Sequence, residues 1–412
     1  MDFLVNRTFT QKVLIMMACL FVCVSAEAGP REQAKRIHDR IAGVPPSALV
    51  LDEMASIIES GPGSEAENAL TAAFVAMQHP DFYRTTLKNF ATPWTNRDFN
   101  IFAPLNDYTA TVIGIIRDDV DFRQILFADI IYVGAAGTGV SAYSTTNNQH
   151  YEALEDGGFN LSVDLQQQTQ SSLTGIPAAA TAGVMTTRAA AKAFFLAGTN
   201  RAMFRFTLIN HLCRDLEQVS DITGVPDRIR QDVTRSPGGD SRLFRNNCIG
   251  CHSAMDPMTQ AFAYYDYEYD SDVDPEGDAG RLVYNIQGSI DPDTGTRVVS
   301  KYHNNKNNFP YGFITENDDW DNYWRTGRNR NLMWDQTLSG SGSGAKSLGE
   351  ELANSGAFAS CQMTKVFKEV CLRDAIDATD RNQIAGMVAT FTGSGYQLKQ
   401  SFAAAAAYCR GD

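Results

Sequence analysis

Apolar residues recur at helical spacing through most of the chain. Ala34, Ile37 and Ile41 share one face of a helix that Pro45-Pro46 ends. Ser64 and Glu67 have the spacing of a capping box ahead of an apolar run at 69–77, which Pro80 closes. Val112, Ile113 and Ile116 mark a third helix, and Asp121 opens a fourth carrying Phe122, Ile125 and Leu126. The pattern weakens over 134–181, where Gly, Ser, Thr, Asn and Gln dominate, which predicts a long surface excursion or a subdomain boundary. Helical patterning returns at 187–196, capped by Thr187, and at 199–216.

From 267 to 324 the character changes to Asp, Asn, Gly and aromatic residues. Segments 281–286 and 296–302 flank the turn sequence Asp291-Pro292-Asp293-Thr294-Gly295, which predicts a β-hairpin. The alternating Ser and Gly of 339–344 read as a flexible connector. Four helices follow, at 347–354, 358–371, 380–391 and 396–407. The pattern is that of a mainly α protein with a small β-hairpin insertion and flanking helical regions.

The first 28 residues read as a signal peptide. Arg7 and Lys12 are basic, 13–24 is an apolar run too short to span a bilayer, and Ala26-Glu27-Ala28 supplies small residues for cleavage before Gly29. The expectation is a periplasmic or otherwise exported protein with no transmembrane segment once the signal is removed. With 35 basic against 48 acidic side chains and a net charge of −13, a general nucleic-acid binder is excluded. Cys19 and Cys23 leave with the signal, without a lipobox around either. Cys213, Cys361, Cys371 and Cys409 are expected to form two disulfides in an oxidising compartment, with three pairings open.

The remaining pair, Cys248 and Cys251, belongs to the run Asn247-Cys248-Ile249-Gly250-Cys251-His252. Cys-x-x-Cys-His is the spacing that attaches haem c. Two thiols add to the vinyl groups, and the adjacent imidazole reaches the iron from one face. A zinc site needs a second ligand pair at matching spacing, and a thioredoxin-like pair needs a βαβ context; neither is present. The expected cofactor is one covalent haem c, held by Cys248 and Cys251 with His252 as proximal iron ligand. Asp240 or Ser241 would cap a helix leading through Leu243 and Phe244 into this turn, and Pro257 would start a new short helix after it.

The run Cys-Ile-Gly-Cys-His-Ser-Ala-Met-Asp-Pro at 248–257, followed by Ala-Phe-Ala-Tyr-Tyr-Asp at 261–266, resembles the haem-binding domains of planctomycete-type c-type cytochromes, which also occur in proteobacteria. The approach at 183–189, the helix ending His211-Leu212-Cys213 and the C-terminal segments from Ser347-Leu348-Gly349 and Phe358-Ala359-Ser360-Cys361 onward resemble the same group. The insertion at 267–324 is longer than usual there, and Val370-Cys371-Leu372-Arg373 replaces an Ala-Leu-Gly-Arg-like run. The resemblance implies a helical cytochrome-c-like haem domain but no substrate. It divides the chain into a signal peptide (1–28), an N-terminal mainly helical region (29–181), a haem c-binding region (182–266), a β-containing insertion (267–338) and a C-terminal helical domain (339–412). Because Cys213 and Cys361 lie in segments that resemble the family, while Cys371 and Cys409 both lie in the C-terminal helices, the expected pairs are Cys213–Cys361 and Cys371–Cys409.

A second axial ligand decides what such a haem does. His211 follows Phe204 and Leu208 on one helix face, so it is either a distal ligand or a core histidine. His150 and His303 lie in polar loops and read as solvated. Met255 and Met258 are too close to His252 to reach the opposite face, whereas Met333, beside Trp334, is the sulfur candidate. Asp270, Asp272 and Asp274 are spaced like a calcium loop, but Pro275 stands where Gly is needed and Arg281 where the closing Glu belongs, so a solvated loop is expected. The expected activity is single-electron transfer with a redox protein partner, a basic one given the low pI. The alternatives are a haem-dependent oxidoreductase, peroxidase- or oxygenase-like with an open distal site, or a haem-bearing subunit of an envelope complex.

Overall fold

Three helices, α1 (Pro30–Ala42), α2 (Ala48–Ser60) and α3 (Glu65–Ala76), open the computed structural model, which describes residues 28–196, 200–224, 227–228, 242, 244–302 and 313–411. Ala34, Ile37 and Ile41 of α1 are fully buried, as their spacing requires. The capping box forms: Ser64 N–H donates to Glu67 Oε2 at 2.8 Å and Glu67 N–H to Ser64 Oγ at 3.4 Å. Helix α4 (Asp107–Arg117) is buried almost all round. Asp121 starts only a 3-10 turn, Phe122–Leu126, in place of the expected helix. One turn suffices to bury Phe122, Ile125 and Leu126, and the chain then enters β1 (Ile131–Gly134).

The expected surface excursion is more ordered than its composition suggests. Strand β1 pairs antiparallel with β2 (Leu165–Gln168), Ile131 opposite Gln168, and α5 (Gln149–Asp156) lies between them. Of β2 only Leu165 is buried, so hydrophobic alternation gave no sign of it. Helices α6 (Arg188–Phe195) and α7 (Asn200–Leu212) follow, with Thr187 capping α6 as expected.

The insertion departs from expectation twice. Strand β4 (Arg281–Tyr284) pairs with β3 (Tyr265–Glu268), Tyr265 opposite Tyr284, and not with 296–302. The aspartate loop makes this reversal, with Asp270 Oδ1 accepting from Asp272 N–H at 3.0 Å and Asp270 O from Asp274 N–H at 2.7 Å. The turn Asp291–Gly295 also closes, Gly295 N–H donating to Asp291 O at 2.8 Å, but it returns the chain beside Ala263. The Ser/Gly run is no connector: β6 (Ser341–Ser343) pairs with β5 (Asp319–Asp321), Trp320 opposite Gly342. A Cβ on Gly342 would stand 3.0 Å from the Trp320 ring and 2.7 Å from Ser347 Oγ, so glycine serves close packing here.

Helices α9 (Gly344–Ala353), α10 (Gly356–Cys371), α11 (Ala378–Gly393) and α12 (Leu398–Tyr408) complete the chain. Helix α12 packs on α1 and α3, and Arg40 donates to Cys409 O at 2.6 Å. One hydrophobic cluster runs from Ala34 to Ala407, through all four regions expected after the signal. The disulfides are Cys213–Cys361 and Cys371–Cys409, the expected pairs. The fold is mainly α with three two-stranded antiparallel ribbons among the described residues. No helix of those residues is long and apolar enough to cross a membrane. The expected signal segment up to residue 27, the expected cap at Asp240 or Ser241 and His303 lie outside them.

Candidate functional site

Cys248 ends a π-helical turn, Phe244–Cys248, and stands at the N-cap position of α8 (Ile249–Thr259), so Cys248, Cys251 and His252 lie within about one turn at one helix end. The helix runs through Pro257, contrary to the expected restart, although the proline has no N–H to give to the Ser253 carbonyl one turn before it. Met255, Met258 and Ala254 face the core, so both methionines are packing residues, as their position implied.

The loop after α7 covers the motif from one side. Asp221 N–H donates to Gly250 O at 2.8 Å, Ser253 Oγ to Asp221 O at 3.3 Å, and Cys251 Sγ lies 3.4 Å from Leu216 O. A Cβ on Gly250 would stand 2.3 Å from Ser220 Oγ, so this approach requires the glycine inside the motif. The turn Gly327–Leu332 locks the loop from outside: Asn329 Nδ2 donates to Val219 O at 2.6 Å and Arg328 to Ser220 O at 3.0 Å.

Cys248 and Cys251 are half-buried and carry free thiols, while the other four described cysteines are paired. Burial, with Glu217 and Asp215 close by, pushes the Cys251 thiol up.

His252 is anchored by its own helix. Its Nδ1 lies 3.0 Å from Asp256 Oδ2 and 3.2 Å from Oδ1, one helical turn on. An ionised carboxylate only accepts, so Nδ1 carries the hydrogen and Nε2 is the nitrogen turned away from Asp256. Asp256 is 1% exposed and takes a bidentate pair from Arg201 of α7, both contacts 2.8 Å. Burial opposes ionisation of Asp256, but the charge of Arg201 and the hydrogen bonds from His252 and Arg201 outweigh it and hold its carboxyl far below the usual carboxylate range. Asn200 Nδ2 donates to Thr259 O at 2.9 Å, which fixes α7 against α8 at the same end.

The other sequence candidates lie elsewhere. His211 is in the aromatic core: Nε2 is 2.8 Å from the Tyr108 hydroxyl, and the ring sits among Trp94, Tyr108 and Phe358. Burial, with Lys365 nearby, drives its pKa well below the ordinary imidazole value. It is ten residues along α7 from Arg201, about 15 Å of helix. His150, expected to be solvated, is 4% exposed, and both ring nitrogens are engaged, with Ser141 O at 2.5 Å and Gly134 N–H at 2.8 Å. Met333 is 59% exposed at φ +57°, directly after the turn that locks the motif loop, and its side chain lies against Gly356.

Two free thiols and an oriented imidazole on one helical turn form the donor set that covalent haem attachment uses, and the described residues fit it. Asp256 and Arg201 were not recognised from sequence as site residues. The i, i+4 spacing of His252 and Asp256 was the available signal for the first, while Arg201 gave none. Comparison of the chain with known protein families, with curated proteins and with solved structures found no match.

Proposed function

We propose that this chain is an exported monohaem c-type cytochrome that transfers single electrons through haem c bound at Cys248 and Cys251, with a cytochrome-like haem region built on α7 and α8. The observation that carries this reading is the reserved dithiol. In a chain whose other described cysteines are paired, these two remain thiols one turn apart, beside a histidine whose tautomer a buried carboxylate sets. When bound, the haem supplies a reversible one-electron couple. The protein's part is to hold two thiols for thioether formation, to direct His252 Nε2 towards iron, and to fix the Leu216–Asp221 loop over one side of the motif. The two disulfides agree with export.

Exposed Glu217 lies close to Cys251, and with the net charge of −13 it supports a basic redox partner. The core contacts of His211 support reading it as structural, which leaves Met333 as the described distal candidate. The test is the optical spectrum of the mature protein, oxidised and reduced, with and without carbon monoxide. A low-spin spectrum insensitive to carbon monoxide is the expected result. A clear shift would mean an open iron and a haem-dependent oxidoreductase instead, and the absence of covalent haem would contradict both.

A further inference from the structure

We infer that Asp256, held by Arg201, is a positioning residue that sets the reduction potential of the iron bound to His252. The inference rests on the haem c reading above. The proximal ligand carries its Nδ1 hydrogen on a carboxylate, not on a neutral carbonyl, at 3.0 Å, and that carboxylate is 1% exposed. A buried acceptor with full negative charge pulls the Nδ1 hydrogen towards itself and makes Nε2 a stronger electron donor. A stronger donor and a nearby negative charge both stabilise ferric over ferrous iron, because the oxidised centre carries one more positive charge.

Arg201 adjusts this effect. Its two 2.8 Å contacts pair the buried carboxylate with a permanent positive charge and spread the negative charge over a second partner. The same pair ties α7 to α8, so the orientation of the His252 ring is fixed by an element that carries no part of the Cys-x-x-Cys-His motif.

Asp256→Asn keeps the side-chain volume and a hydrogen-bond acceptor while removing the charge. The expected result is a covalently loaded protein whose ferric-to-ferrous equilibrium shifts at least tenfold towards ferrous, a rise of 59 mV for one electron. The potential is read by redox titration of the loaded protein, with haem content and far-ultraviolet dichroism measured alongside. A shift below twofold, or one towards ferric, overturns the inference. Should Asp256→Asn fail to load, Arg201→Lys keeps the positive charge but loses the bidentate fork, and the expected shift is then towards ferric; an unchanged or raised potential overturns the inference. Absence of covalent haem from the unmodified protein would instead remove the reading beneath it, so the two failures are distinguishable.

Discussion

His211 and His252 show how little the identity of a residue says without its neighbours. Both lie on apolar-patterned helices, yet one has its Nε2 on a core tyrosine and the other its Nδ1 on a buried carboxylate. The neutral, buried state of His211 has a consequence for stability. Its folded-state pKa lies well below the ordinary value of about 6.5, so below that pH the unfolded chain binds a proton that the folded chain does not. Stability should therefore fall as the pH drops below about 6.5, by up to about 1.4 kcal/mol per pH unit from this residue. In His211→Gln, urea melts between pH 7 and 5 should lose that component of the slope, while the haem spectrum stays as it was. A changed spectrum would make His211 a ligand after all. At this scale the proposal for Cys248, Cys251 and His252 comes from their spacing alone. Arg201 was not legible, because it lies 51 residues before His252 and only tertiary packing brings it to Asp256.

Elements with one long apolar face were readable from sequence. The helices α1, α3 and α10 fall within a few residues of their patterned positions, since burial of one face dictates the period. The short ribbons were not readable. Strand β2 buries one side chain, β6 is made of Ser and Gly, and β4 has a partner across an aspartate loop and not across the more obvious Pro-Asp turn. In each case the pairing comes from backbone hydrogen bonds and side-chain fit that hydropathy does not record. The C-terminal helices depend on a covalent tie as well. Cys371–Cys409 joins the end of α10 to the residue after α12 and closes 38 residues of chain. Chain entropy bounds its worth at roughly 4 kcal/mol, and the double Ala variant should lose about 2–4 kcal/mol in urea unfolding. A loss under about 0.5 kcal/mol would show that helix packing alone holds this end together.

Across the whole molecule, the regions expected from sequence share one hydrophobic cluster, because α12 returns to α1 and α3 and the insertion packs beside α8. Such long-range closure leaves no periodic trace in the sequence. The net charge of −13 governs encounter with other molecules more than it does the fold. Electron exchange with a basic protein should slow steeply as ionic strength rises from about 0.01 to 0.15 M, where the screening length falls from roughly 30 to 8 Å. Stopped-flow rates that are flat or rise with salt would contradict a basic docking partner. Everything functional rests on Cys248 and Cys251 carrying haem. The direct test is the intact mass of the denatured protein, produced by export in cells able to mature c-type cytochromes. The expected mass is that of the chain after signal removal plus a single haem, with two disulfides retained. A mass without haem, with Cys248 and Cys251 as free thiols or joined to each other, would contradict it.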